Sequence, residues 1–138
     1  MTVLRQYNSG TSTWDPVISG VQGVQGINGQ QFSSINTQTG TSYTPVLGDA
    51  VVFITLSNAS AISVTIPTNA VVAYPVGTQL NFIQLGAGQV TISAVTSGTT
   101  TIQSAAATST SPKLRTQYSS ASAIKIATDV WCVVGDIQ

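Results

Sequence analysis

The sequence predicts an all-β protein, and three observations lead to that expectation. Apolar and polar residues alternate in short runs such as 62–66 (ISVTI) and 90–93 (VTIS), as in half-buried strands. Turn residues separate these runs at about ten-residue intervals, which is typical of β-sandwiches. No window combines helical periodicity with capping residues. We therefore predict an antiparallel β-sandwich, jelly-roll-like in character, over residues 43–138.

The strands of this domain follow from β-branched and aromatic runs between turns. The sequence Gly86-Ala87-Gly88 is expected to be a hairpin turn. Trp131 and Cys132 lie in an apolar run and are expected in the core. The predicted strands are 51–56, 62–66, 80–85, 90–93, 101–103, 114–118, 123–126 and 130–134.

The N-terminal segment, residues 1–19, contains more apolar surface than a solvated tail needs. Its centre, residues 8–12 (NSGTS), is expected to be a turn between two extended arms. A lone two-stranded hairpin is barely stable in water. The segment should therefore lie against the chain's own β-domain or against another protein. The candidate docking residues are Val3, Leu4, Tyr7, Trp14, Val17 and Ile18.

Residues 20–42 are predicted to be a neck and connector. The stretch 20–29 reads GVQGVQGING, with glycine at every third position. This is the period of a triple helix, where only glycine fits the crowded axis. A flexible glycine-rich linker is the alternative interpretation. The glycines that would line a three-chain neck are Gly20, Gly23, Gly26 and Gly29.

The scarcity of charge excludes several function classes. Four Lys+Arg and four Asp+Glu, with no His, give a net charge of zero, and charged residues make up 6% of the chain. General acid–base catalysis draws on residues that are nearly missing here, so we expect no enzyme. Nucleic-acid binding needs a surplus of positive charge, which this chain does not have, so we expect no nucleic-acid partner. Polar residues interrupt each apolar run well before ~18 residues, so we expect no membrane insertion.

The few charged residues suggest structural roles. The four aspartates lie at turn positions, where Asp can cap its own backbone, and none has a metal-loop spacing, so we expect no metal and no cofactor. Lys113, Arg115 and Lys125 form at most a small basic patch, which we expect to be used in charge pairing. Tyr74, beside Pro75, is the aromatic side chain that we expect to be exposed and available to a glycan.

Several stretches together resemble bacteriophage structural proteins. The start, LRQYNSGTSTWDPVISGVQGVQG, resembles the beginning of phage fibre and virion proteins, in which a short W-[DE]-P-V anchor runs into glycine triplets. The remainder resembles a C-terminal module of phage tail-fibre and minor structural proteins. The matching pieces are SYTPVLGDA (42–50), NASAISVTIP (58–67), YPVGTQLNFIQLGAGQVTI (74–92), KLRTQYSSASAIKIATD (113–129) and VWCVVGD (130–136).

This resemblance implies a trimeric, virion-bound β-structure without catalytic residues. The expected function is a short homotrimeric fibre or capsid decoration on the outer surface of the particle. Residues 1–19 would dock to capsid or tail proteins. A tail-fibre tip, a lectin-like module that binds host surface glycans, is the alternative.

Overall fold

The structure, a computed structural model, describes residues 5–16 and 32–138. The chain divides into two compact units, Met1–Gln30 and Gln31–Gln138. The glycine triplets, Val3, Leu4, Val17 and Ile18 lie outside the described residues, as does the side chain of Trp14.

The first unit contains a β-hairpin. Strands β1 (Arg5–Asn8) and β2 (Thr13–Pro16) pair antiparallel, with Tyr7 opposite Trp14. The four residues between them form turns, and Ser12 has a φ of 55°. The predicted turn between two extended arms is therefore confirmed.

The second unit is built from nine strands and one short 3-10 helix, Leu47–Val51, in its described residues. The strands are β3 (Ser34–Gln38), β4 (Ser42–Tyr43), β5 (Val52–Leu56), β6 (Ile62–Ile66), β7 (Gln79–Gln84), β8 (Val90–Ala94), β9 (Thr101–Ser104), β10 (Ser120–Ala127) and β11 (Val130–Gly135). They form a six-stranded sheet in the order β3-β5-β7-β10-β11-β9 and a three-stranded sheet in the order β4-β6-β8.

The first six of these strands wind as a coil through both sheets. Strands β3, β5 and β7 lie parallel in the large sheet, while β4, β6 and β8 lie parallel in the small one. The chain alternates between sheets, so each crossover between parallel neighbours passes through a strand of the other sheet. Parallel strands cannot be joined by tight hairpins, and this winding supplies the longer connection that they need.

The corners between the sheets stack on one another. Leu85 N donates to Leu56 O at 2.7 Å, and Gly88 N donates to Asn58 O at 2.8 Å. The Asn58 side chain in turn donates to Thr39 O at 2.7 Å. The expected hairpin turn at residues 86–88 is therefore wrong: β7 and β8 belong to different sheets, and the Gly-Ala-Gly sequence forms one of these corners.

The last strands close the large sheet with a different pattern. Strand β10 is antiparallel to both β7 and β11, whereas β9 joins β11 in parallel. The all-β prediction is confirmed, but the prediction of antiparallel pairing throughout is wrong, because five of the strand pairs are parallel. A jelly roll consists of antiparallel strands, so these pairings do not support that part of the prediction.

The core lies between the inner faces of the two sheets, as in a sandwich. One cluster joins inward residues of the large sheet, including Ile54 and Phe82, to inward residues of the small sheet, including Val64 and Ile92. Trp131 is buried in the same cluster, as predicted, whereas Cys132 is half-buried. Inward and outward residues alternate along β6 and β8 because successive strand residues face opposite sides.

The compact β-unit begins earlier than the sequence suggested. Residues 32–42, interpreted as part of a polar connector, contribute β3 and most of the first coil turn. Ser33 N donates to Val51 O at 2.7 Å, which fixes the entry of the chain into the sheet. Asn36 and Gln38 point inward on β3, where their side chains form hydrogen bonds. The sequence had indicated a connector at these positions.

Candidate functional site

Tyr74 is not the exposed aromatic residue that the sequence suggested. Its ring is 3% exposed and packs edge-on against Trp131, with centroids 5.4 Å apart. Its hydroxyl donates to Val46 O. The prediction of exposure is wrong because the loop 67–78 folds the ring inward onto the core, which leaves no ring face for a sugar.

A buried carboxylate organises the first coil turn. Asp49 is 2% exposed and accepts hydrogen bonds from Asn36 Nδ2 (2.7 Å), the Tyr43 hydroxyl (2.6 Å) and Val46 N (2.8 Å). The 3-10 helix places Asp49 beside β3 and β4, so one side chain joins both sheets. Three donors surround this carboxylate, so its role here is to hold the turn.

The same cluster perturbs two tyrosines. Burial, followed by the hydrogen bond to Asp49 and its negative charge, raises the pKa of Tyr43 to about 12. Burial is also the main cause of a raised pKa at Tyr74, to which the charges of Asp49 and Tyr43 add. Both phenols are therefore neutral at physiological pH and act as hydrogen-bond donors.

Lys125 is a second buried charge. It is 2% exposed, at the end of β10, and its ammonium donates to Asn69 Oδ1 and to Tyr74 O (2.7 Å). The nitrogen also lies 5.9 Å from the centre of the Trp131 ring, within range of a cation–π contact. This lysine therefore ties the loop 67–78 to the sheet and does not join the basic patch that the sequence suggested.

Tyr118 is the most exposed aromatic residue among those described in the β-unit. It is 70% exposed and has a φ of 69°, an unusual conformation for a bulky residue. Its N–H donates to Gln84 O at 2.7 Å, and Gln117 Nε2 donates to Leu85 O at 2.8 Å. On the other side of Tyr118, Ser119 O accepts from Gln84 N at 3.0 Å. These contacts anchor the residue to the end of β7, and such backbone conformations cluster at functional sites.

An ion pair flanks Tyr118. Arg115 and Asp136 are joined at 2.7 Å, both largely exposed, and Ser119 Oγ donates to the same carboxylate at 2.6 Å. The expected charge pairing is thus found for Arg115. Residues 114–118 were predicted to be a strand. Apart from an isolated bridge at Leu114, this segment is a loop. The polar residues on either side of Tyr118 in the sequence are the feature from which its exposure could have been predicted.

A cavity of about 320 Å³ lies at the end of β8. Its wall consists mainly of small neutral residues, among them Ser97, Thr100, Thr110 and Ser111. Hydroxyl groups can donate and accept hydrogen bonds with a neutral polar ligand.

The outer face of the six-stranded sheet is wide and uncharged. Paired residues share a face, and one face of each strand is directed away from the core. The strand residues on this side are all neutral: Ile35, Thr37, Phe53, Thr55, Gln79, Asn81, Ile83, Thr101, Gln103, Ser120, Ser122, Ile124, Ala127, Val130, Cys132 and Val134. We call this set the outer face.

Among residues 5–16 and 32–138, no three His, Cys, Asp or Glu residues are grouped to hold a metal ion. Asp49 and Lys125 are enclosed by their own partners. In the described part of the chain, no helix has the length and apolarity to cross a membrane.

Of the candidate docking residues, the structure describes Tyr7 and the backbone of Trp14. Tyr7 is exposed on the hairpin and the backbone of Trp14 lies opposite it. The remaining docking candidates and the neck glycines fall outside the described ranges.

Compared with models of protein families and with curated proteins, the chain has no match.

Proposed function

We propose that the chain is a structural protein of a bacteriophage virion, a short trimeric fibre or capsid decoration. In this proposal, residues 1–19 dock to capsid or tail proteins, the glycine triplets form a three-chain neck, and the β-unit is displayed on the particle surface. The protein acts by display and adhesion and is not an enzyme. Its partners are further copies of itself and virion proteins, not nucleic acid.

The division of the chain into a hairpin unit and a β-unit carries this proposal. A two-stranded hairpin needs a surface to cover one of its faces. The hairpin has only four residue pairs, from Arg5 opposite Pro16 to Asn8 opposite Thr13. A docking surface on another protein would supply the missing stability, and the W-D-P-V sequence that resembles phage anchors begins on β2.

The β-unit supports a display role in a second way. The charges of its described residues are either enclosed, as at Asp49 and Lys125, or placed in loops and beyond strand ends, as at Arg115 and Asp136. Neutral hydroxyl and amide groups provide most of its surface polarity. Such a surface keeps its charge state over a wide pH range, which suits a part exposed outside a cell.

Incorporation into particles tests the docking role. Deleting residues 1–19 should abolish incorporation while circular dichroism of the purified chain still shows a folded β-unit. Trp14→Ala should reduce incorporation, and Ser9→Ala, at the exposed turn of the same hairpin, should not. Unchanged incorporation of the deletion variant would refute the anchor. Immunogold electron microscopy then shows whether the protein occupies the head or the tail.

Tyr118 favours the alternative, a tail-fibre tip that binds host glycans. Aromatic rings offer sugars an apolar face, and flanking polar groups fix their orientation. The exposed ring of Tyr118, next to Gln117 and the Arg115–Asp136 pair, provides both. Saturable binding to host polysaccharide that is lost in Tyr118→Ala and kept in Tyr118→Phe would support this role. Absence of binding by the native chain would leave decoration as the function.

A further inference from the structure

The outer face of the large sheet combines exposed apolar side chains with polar groups that already have partners. Ile35 is 61% exposed and Val134 is 45% exposed, on β3 and β11. Phe53, Ile83 and Ile124 lie between them, half-buried. Apolar side chains thus lie on five neighbouring strands of this face, with polar groups between them. Apolar surface set among polar groups is typical of an interaction site on a soluble protein.

Five of the polar side chains on this face bond to one another. Gln79 Nε2 donates to Asn81 Oδ1 (2.7 Å) and to Ser122 Oγ (3.1 Å), and Ser122 Oγ donates to Asn81 Oδ1 (2.6 Å). Thr55 Oγ1 donates to Thr37 Oγ1 at 3.1 Å. A polar group that is already hydrogen-bonded costs less to bury than one that must leave water unpaired. Burying these polar groups under a second protein surface would therefore cost little free energy.

The neutral residues of the outer face indicate which partner covers it. Near a symmetry axis, a residue meets the same residue of the other copies, so any charge there repels its equivalents. All strand residues of the outer face are neutral. Lys125, next to Ile124, is buried on the core side of the sheet, and Asp136, just beyond the end of β11, is paired with Arg115. An uncharged face suits contact with copies of itself.

The point at which the chain enters the β-unit supports the same occupant. Phe32, the first residue after the undescribed stretch 17–31, stacks against Phe53 of the outer face, with ring centroids 5.2 Å apart. The glycine triplets lie in that stretch. If the triplets assemble three chains, as in the proposed function, the chains enter their β-units beside this face.

From these observations we infer that the outer face is the surface through which the β-units of three copies pack against one another. This inference rests on the proposed trimer and adds the residues that make its main contact. Ile35 and Val134 supply apolar contact toward the two sides of the face, and the Gln79–Asn81–Ser122 group fills its centre. The edge strand β3, which would otherwise expose unpaired backbone groups, is shielded in the same contact.

Lysine substitutions test the inference in the full-length chain. Light scattering should give a trimer for the native chain and for Val71→Lys, an exposed apolar residue (76%) outside the sheet. Ile35→Lys and Val134→Lys should dissociate at protein concentrations at least tenfold higher than the native trimer does. Both positions are exposed in the single chain, so the fold should survive, which circular dichroism checks.

Cys132 provides an independent readout because it lies on the outer face. Its reaction with a thiol reagent should be slow in the native trimer, faster when dilution dissociates the trimer, and fast in Ile35→Lys at concentrations where the native chain is still protected. Protection that persists after light scattering shows the native chain to be a monomer would mean that the chain's own N-terminal segment covers the face. Reaction at the unprotected rate at all concentrations would mean that copies do not cover it. Either result overturns the inference.

The outcomes separate this inference from the proposed function. Variants that remain trimers as tight as the native chain would overturn the packing of this face and leave the virion role intact. A native chain that is monomeric at micromolar concentration would overturn both the trimer and this inference. A native trimer that Ile35→Lys and Val134→Lys dissociate, with Val71→Lys unaffected, would establish the face as the contact.

Discussion

The side chains of Lys125 and Asn69 meet across 56 residues of sequence, where the lysine ammonium donates to the asparagine carbonyl. The contact secures the loop 67–78 to the end of β10. Asn69 N also donates to Asp129 Oδ1 at 2.6 Å, in the turn between β10 and β11. A buried positive charge thus depends on neutral acceptors that a distant loop supplies.

Removing the acceptor should destabilise the protein only while the charge is present. Asn69→Ala should lower the free energy of unfolding by about 2 kcal/mol, because a buried ammonium loses a hydrogen bond. In a Lys125→Met background, the same substitution should cost less than half as much, since no charge remains to be satisfied. Denaturant unfolding of the four proteins in the cycle measures this coupling. An equal cost in both backgrounds would contradict the interaction.

Asp49 should matter more to stability than an exposed aspartate. Asp49→Ala removes the acceptor of Asn36, Tyr43 and Val46 and should cost about 3 kcal/mol. Asp136→Ala, which breaks an exposed ion pair, should cost about 1 kcal/mol or less. Thermal or denaturant unfolding compares the two variants. Similar losses at both positions would contradict the organising role of Asp49.

Stability should fall in alkaline solution, and Tyr43 should contribute to the fall. The pKa of Tyr43 is about 12 in the folded protein, against 10.0 for an ordinary tyrosine. Below pH 10 the phenol is neutral in both states, so its contribution is fully present. Between pH 10 and 12 the unfolded chain ionises first, and that contribution is lost.

Tyr43→Phe isolates this effect because Tyr74, whose pKa is also raised, is kept. The decline in unfolding free energy between pH 10 and 12 should be shallower in the variant than in the native chain. Near-ultraviolet absorbance of the folded protein follows tyrosinate formation directly. Parallel declines in the two proteins would show that Tyr43 ionises as it does in the unfolded state.

The stacked corners should not tolerate a side chain at Gly88. A Cβ there would overlap the carbonyl of Ser60 on the preceding corner, and one at Gly86 would overlap the backbone of Asn58. Gly88→Ala should cost about 3 kcal/mol or more, because backbone must move to make room. Gly48→Ala is the matched control, with open space around the added carbon. If both variants unfold at the same denaturant concentration, the corners do not stack closely.

Strand location could be predicted from the sequence far better than strand direction. The alternation at 62–66 coincides with β6, and the apolar run at 130–134 with β11. Side-chain alternation is the same in parallel and antiparallel strands, so it does not specify the partner. The corners at residues 57–61 and 85–89 contain turn residues that would equally suit hairpins. The neighbouring strands among β3 to β8 are parallel because the connection between them passes through a strand of the other sheet.

Candidate site residues were harder to predict for the same reason. Tyr74 stands beside Pro75 in a stretch between predicted strands, and Tyr118 stands at the end of a predicted strand, yet Tyr74 is buried and Tyr118 is exposed. What separates them is the loop 67–78, which Lys125 and Asn69 hold against the core. Asn36 and Gln38 were assigned to a connector, although their polar side chains bond in the first coil turn.

The sequence by itself determined the all-β class, the hairpin turn at residues 8–12 and the burial of Trp131. These properties depend on composition and on local alternation. The tertiary structure decided that the strands wind as a coil, that Tyr118 and not Tyr74 reaches solvent, and that the outer face is uncharged as a whole. Those depend on contacts between residues tens of positions apart, which local patterns do not encode.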